Sequence, residues 1–291
     1  MELEGYAEFC FDQVGGVALR AIPYFQDYKM VLNQANLDIS LPEYLAMSIF
    51  TTSMVGVSVF SLLGVIFLIS SGLSGLVTAF FIALIFSLIT VFLFYLWPKG
   101  IVNTRATVIR DMMPFATMYL STLAGTGSSV SEMFTELSEV EEYGEVANEA
   151  SKISRDIETL GMDVSKALER GAERTPSEDF EDLLRGLEHV LTTGGSVRDY
   201  LKQRSEALMD DYGRRIEQFA DQLGLLVEMY ITIVIVGSII FTAMSAIMSS
   251  ISGFEPGLIV GIQVLLVFVG LPIITGMFII FIKGISPGGI M

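Results

Sequence analysis

The 291-residue chain is too apolar for an ordinary soluble domain, with 52% hydrophobic residues and a mean hydropathy of +0.60, and too unevenly charged to lie wholly in lipid. A net charge of −16, from 33 acidic against 17 basic residues, speaks against nucleic acid as a partner, because phosphate binding needs clustered Lys and Arg. One cysteine, Cys10, and one histidine, His189, exclude an intramolecular disulfide and a multi-Cys/His zinc site, and leave the redox compartment unreadable.

Residues 1–40 begin with Glu2, Glu4 and Glu8 rather than a basic start before an apolar run, so no cleaved leader is expected. Apolar positions Val14, Val17, Ala18 and Ile22, then Phe25, Tyr28, Val31 and Leu32, predict two short amphipathic helices broken at Pro23. They would lie on the membrane surface or on the helical block further on. Ser40 with Glu43 forms a capping box ahead of an apolar run, and a helix should start there.

Leu45 to Ile69 and Leu73 to Trp97 carry no charge. At about 1.5 Å per residue each exceeds a hydrocarbon core of about 30 Å, so both can span with some tilt. Ser70, Ser71 and Gly72 read as the turn between them. Tyr95 and Trp97 suit the interface, and Pro98, Lys99 and Gly100 mark the exit into water.

From Pro98 to Glu228 the chain holds most of its charge, arranged as amphipathic helices separated by glycine turns. The first stripe is Val108, Met112, Phe115, Tyr119 and Leu123, ended by Gly125 and Gly127. Ser129 and Glu132 cap the second, with Val130, Met133, Phe134, Leu137 and Val140. Val146, Ala150, Ile153, Ile157 and Leu160 form a third, stopped by Gly161; a short fourth carries Val164, Ala167 and Leu168. Thr175, Pro176 and Glu178 signal the start of a fifth, with Phe180, Leu183, Leu184, Leu187 and Leu191 on one face. Gly194 and Gly195 end it. Ser196 caps a sixth, which has no breaker before the third span and is expected to run as one helix from water into lipid to about Met248, with Gly213 and Gly224 as soft points.

A second hairpin follows: Val227 to Met248, a turn over 249–257 with Glu255 and Pro256, then Leu258 to Ile282 with a kink at Gly270 and Pro272. Of the 17 basic residues, 14 lie in the central block, Arg20 and Lys29 precede the first span and Lys283 follows the last. The positive-inside rule therefore places the block and both termini in the cytoplasm of a multi-pass plasma or inner membrane protein. The expected architecture is all-α: four transmembrane helices in two hairpins with a cytoplasmic six-helix bundle between them. Its parts are an amphipathic cytoplasmic segment 1–40, a hairpin 41–98, a helical domain 99–224, a hairpin 225–283 and a cytoplasmic tail 284–291.

No pattern calls for catalysis, a cofactor or a metal. The run from Ala124 to Ser129 resembles a glycine loop, but it lacks the phosphate lysine and follows a helix rather than a strand. His189 sits on the polar side of its helix, with Asp182 and Arg185. The acidic groups Glu141/Glu142, Asp179/Glu181/Asp182 and Asp210/Asp211 read as solvated faces, since adjacent residues do not share one. Spans with no buried Asp, Glu, Lys, Arg or His, Glu228 standing at the entry of the third and the rest offering only Gln263 and hydroxyls, disfavour an ion-coupled transporter. What they do carry is small residues, notably Gly56, Gly64, Gly237 and Gly261, for close helix packing within the chain, or against a second copy or a client helix.

Met113, Pro114, Phe115 through Leu123, Ala124, Gly125; Gly161 through Leu168; and Gly194, Gly195, Ser196 through Leu201 together resemble the F-type domain of type II secretion and type IV pilus systems. The similarity runs from about Arg110 to Leu223 and extends to the final hairpin. The hairpin introduced by Leu41, Pro42, Glu43 and Tyr44 is more similar to platforms of the archaellum, archaeal pili or tight-adherence systems. The resemblance implies a six-helix antiparallel bundle in a non-enzymatic membrane platform. Beneath such a platform a hexameric cytoplasmic ATPase docks, and pilin-like subunits pass from the bilayer into a filament. Many members carry two such domains and this chain one, which implies a homodimer or a heterodimer with a paralogous platform chain. Arg155, Arg198 and Arg204, basic positions at turns of an acidic block, are expected ATPase contacts unless they close salt bridges within the domain. A transporter subunit, or a membrane scaffold that recruits a cytoplasmic partner through its helical domain, is the alternative.

Overall fold

In the computed structural model of the chain, residues 2–285 are described except for 27, 38, 252–256, 258–260 and 262–263. Every regular element among them is helical, as the apolar periodicities require. They form two compact units, Met1–Arg204 and Ser205–Met291. The centre of the turn expected over 249–257, with Glu255 and Pro256, lies outside the described residues, as do Gln263 and the tail beyond 285.

In the first unit, α1 (Glu2–Ala21) ends in a 3-10 turn, Ile22–Tyr24, that contains Pro23, and α2 (Tyr28–Gln34) follows. Both expected N-terminal helices are present, and α1 packs along α3 (Leu41–Ser71). The core at this foot comprises Cys10, Ala18, Leu32, Leu45, Ala46 and Met47, with Tyr28 and Tyr44. Helix α3 starts where the Ser40 amide donates to the Glu43 carboxylate at 2.8 Å, and turns into α4 (Leu73–Thr126) at Gly72, whose φ of +64° suits glycine. The hairpin closes on small residues. A Cβ on Gly75 would stand 2.4 Å from the Phe67 carbonyl oxygen, while Cβ atoms on Gly56 and Gly64 would meet Ser87 and Leu76 at ordinary contact distance.

Pro98–Gly100, where the exit into water is expected, lies within a helix. Helix α4 runs on through Pro98 and Pro114 for 54 residues. Proline deletes one amide donor and orphans the carbonyl four residues earlier, here Phe94, and the Tyr44 hydroxyl donates to that oxygen at 2.5 Å. The Tyr28 hydroxyl donates to the Tyr95 carbonyl, also at 2.5 Å. With the freed oxygen satisfied, the helix continues.

Beyond α4 come α5 (Val130–Ser138), α6 (Glu145–Glu158), α7 (Val164–Arg174), α8 (Glu178–Thr193) and the start of α9 (Val197–Ile231). Ser129 and Glu132 exchange both capping-box bonds, and Ser196 accepts from the Asp199 amide. Gly127, Gly161 and Gly194 take positive φ and stop their helices as expected. Phe134, Ile153, Leu168, Phe180, Leu184 and Leu187 are fully buried.

Three expectations are corrected here. The inner face of α4 is Ile109, Met113, Ala116 and Leu120, while Val108 and Phe115 remain 40% and 38% exposed. The two rows lie about 100° apart on a helix apolar on both, so period alone chose the wrong one. Leu160 is 59% exposed, because α6 ends at Glu158 before its stripe comes round again. Helix α8 begins at Glu178 with Ser177 as N-cap rather than Thr175, which closes α7 and accepts from the Ser177 amide.

In the second unit, α9 passes through a π-helical turn, Thr232–Val236, into α10 (Gly237–Ile251). Gly213 and Gly224 stay helical, and the expected unbroken helix is modulated only by that turn. A second π-helical turn, Leu266–Gly270, precedes α11 (Leu271–Ile285), beside Gly270 and Pro272 where a kink is expected. Tyr230 ties α9 to α11 by stacking on Phe278 at 4.7 Å and bonding Thr275 at 3.0 Å. Among the described residues three helical stretches are long and apolar enough to cross a membrane, Leu41–Leu68, Gly75–Thr126 and Val197–Ile247; Leu266–Ile282 is a shorter apolar helix.

Candidate functional site

The densest polar construction in the first unit is a set of buried charges joining α2, α4, α6 and α7. Glu145, Glu149, Lys152 and Asp156 recur every three or four residues on α6, beside the apolar stripe Val146, Ala150 and Ile153. Glu149 is 0% and Asp156 1% exposed. Burial of that kind is sustained only by paired charge.

Glu149 is the hub. Its Oε1 accepts from Arg105 Nη2 of α4 and from Lys152 Nζ, each at 2.9 Å, and Oε2 faces Arg174 Nε of α7 at 3.4 Å. Arg105 also reaches Glu145 Oε2 at 2.6 Å and donates to the Gln34 carbonyl at the end of α2. Asp156 takes Arg170 and Arg174 at 3.4 and 3.3 Å. Gln34 returns a bond to the Thr175 carbonyl at 3.3 Å, and Lys152 donates to the Asn36 side chain at 2.5 Å. Burial alone would raise the Glu149 carboxyl; the bonds from Lys152 and Arg105, with the nearby Arg174 charge, outweigh it and leave it below its ordinary value. Glu149 therefore stays ionised at neutral pH, and the chemistry of the cluster is structural: four cationic side chains converge on two carboxylates and, with the Gln34 and Asn36 bonds, fix four elements in one register.

The expected site residues are distributed differently. Arg155 is exposed on α6 at the rim of a basic cleft. Arg198 is exposed in the first turn of α9 and makes no ion pair among the described residues. Arg204 is drawn to Asp179 and Asp182, at 3.8 and 3.5 Å. Gly56 and Gly64 face the partner helix of their hairpin, whereas no described atom lies within 4 Å of a Cβ placed on Gly237 or Gly261. His189 is exposed, and the described residues contain no group of three His, Cys, Asp or Glu able to hold a metal.

The charged cluster is what reading the sequence missed. Its signal was present in the 4-3-4 spacing of Glu145, Glu149, Lys152 and Asp156, which marks one face of a helix. What the spacing leaves open is the partner, since Arg105, forty-four positions from Glu149, is brought against that face only by the fold.

Residues 116–245 match the model of the family described as type II secretion system, protein F. An uncharacterized protein of Methanocaldococcus jannaschii is 26% identical over 136 residues, 47% of this chain and 23% of that protein. Flagella accessory protein J of the same organism is 26% identical over 137 residues, 47% of this chain and 24% of the relative. The match thus spans about a quarter of the length of these curated relatives. No solved structure matches the chain. Arg105 and Gln34 precede the matched stretch and Glu149, Asp156 and Arg174 lie inside it, so the ion cluster joins the matched domain to the segments before it. The likeness to the type II secretion system protein F family thus covers residues 116–245, from the end of α4 into α10.

Proposed function

We propose that this chain is the non-enzymatic membrane platform of a type IV filament, pilus or archaellum, or of a type II secretion machine. In this reading it couples a cytoplasmic assembly ATPase to pilin-like subunits. Four transmembrane helices in two hairpins, the fourth built on α11, carry a cytoplasmic domain of the second half of α4, α5 to α8 and the water-side part of α9. The domain boundaries are those at 40, 98, 224 and 283. Both termini are cytoplasmic, consistent with 14 of 17 basic residues in the central block. A second chain, the same or a paralogue, completes the platform.

The observation that carries the reading is the unbroken passage of α4 from an apolar hairpin into a charged helical domain, where Arg105 is held by Glu145 and Glu149. A helix fixed in this way transmits displacement instead of absorbing it. The family match and the flagella accessory protein J relative support the same conclusion. Helix α9 is the second such connection, and Arg198 is the preferred ATPase contact, because Arg204 is occupied within the domain.

Inserting two glycines after Gly224 is expected to abolish filament assembly or secretion while the purified protein keeps its helical content. Normal filaments from that variant would overturn the reading. Arg198→Glu should reduce ATPase co-purification with the membrane-embedded chain.

A further inference from the structure

We propose that a cleft between α2, α6 and α7 binds a phosphate group, supplied by an anionic phospholipid head or by soluble phosphate. The cleft measures about 630 Å³, within the range of small-ligand sites. On a chain of net charge −16, five of its described lining residues are cationic, namely Lys29, Lys152, Arg155, Arg170 and Arg174, against one acid, Glu173. Asp27 and Asp38 lie outside the described residues.

Glu149 and Asp156, beneath the cleft, engage Lys152, Arg170 and Arg174. Lys29 and Arg155 are exposed and make no ion pair among the described residues. Arg174 Nη2, shut off from solvent, has no hydrogen-bond partner among the described residues. Two cations unpaired among the described residues, with the Asn33 and Asn36 side chains alongside, give donors of the kind that recognise a phosphate. None of the described lining residues is aromatic, so a nucleotide base would find no ring to stack on.

Location points to a lipid head in the first instance. Tyr28, next to Lys29, bonds the Tyr95 carbonyl, and Tyr95 closes the uncharged run of α4 just before Lys99. Helix α2 therefore lies at the level where that run meets water. Met30 lines the same cleft and is 57% exposed, with Phe25 exposed nearby, so a phosphate in the cleft would leave acyl chains beside apolar side chains. The inference is independent of the platform reading and can fail without it.

The test uses the full chain, delipidated in neutral detergent and titrated calorimetrically with dihexanoylphosphatidylglycerol, dihexanoylphosphatidylcholine and inorganic pyrophosphate. Phosphatidylglycerol is expected to bind and phosphatidylcholine not. Lys29→Glu with Arg155→Glu should lower affinity at least about tenfold, since each basic side chain near an anionic surface contributes roughly fivefold, while Arg198→Glu leaves it unchanged. Pyrophosphate binding with the same dependence on Lys29 and Arg155, and no preference for phosphatidylglycerol over phosphatidylcholine, would assign the source to soluble phosphate. If the charge reversals lower thermal stability, Lys29→Gln with Arg155→Gln replaces them and should still weaken binding. No binding of either phosphate probe, or wild-type affinity in the stable double variant, overturns the proposal.

Discussion

Helices α4 and α9 share one signature, a continuous run that is apolar at one end and charged at the other, yet they are held by different forces. On α4, Arg105 is buried against Glu145 and Glu149, the next three turns are packed into the core through Ile109, Met113, Ala116 and Leu120, and the carbonyl freed by Pro98 is bonded by Tyr44. On α9, beyond Arg204 and its α8 partners Asp179 and Asp182, the charges pair at the surface, Arg214 and Arg215 with Asp211 of their own helix, and no residue of its apolar window is buried. A buried pair collapses at large cost when one partner is removed, whereas an exposed pair contributes little. Both helices present apolar surface for lipid or another helix to cover, but beyond it α4 is fixed by buried charge, whereas α9 past Arg204 carries only surface pairs.

The largest consequence of that difference concerns Glu149. Glu149→Ala strands Arg105, Lys152 and Arg174 and should cost about 3–5 kcal/mol, seen as a lower thermal midpoint of the purified protein. Asp211→Ala on α9 should stay within about 0.5 kcal/mol of wild type. Equal losses would erase the distinction.

Helix packing gives the next contrast. Gly75→Ala pushes a Cβ against the Phe67 backbone and should destabilise the hairpin by about 1–3 kcal/mol. Gly237→Ala meets no described atom within 4 Å and should leave the midpoint unchanged or raise it slightly, alanine being the better helix former. A loss at Gly237 as large as at Gly75 would mean that α10 is packed as tightly as the first hairpin.

The smallest effect concerns pH. Because the folded Glu149 carboxyl lies below its unfolded value, the stability it contributes is full above the unfolded carboxylate range and is lost as pH falls through the folded value. Acid melts should therefore show a stability loss in wild type that is absent in Glu149→Gln. A parallel acid dependence in both proteins would place the responsible carboxylates elsewhere.

Much of this was legible in the residues. The capping boxes at Ser40/Glu43 and Ser129/Glu132, the glycine stops at Gly127, Gly161 and Gly194, and the buried faces of α5 and α8 follow from local rules that neighbours reinforce. The family resemblance was legible too, because glycine turns at fixed intervals are an ordered pattern. The passage of α4 through Pro98 was not legible, because whether a proline ends a helix depends on a donor from elsewhere, here Tyr44. The inner face of α4 misled because two adjacent rows are both apolar.

By itself the sequence determined which stretches are helices, where most of them begin and end, and which are apolar enough to cross a membrane, since capping, period and hydropathy act over a few residues along the chain. Tertiary structure alone decided which charges are buried. Whether Glu149 is a solvated acid or the hub of an ion cluster depends on Arg105 and Arg174, which only the packing of α4 and α7 on α6 brings within reach.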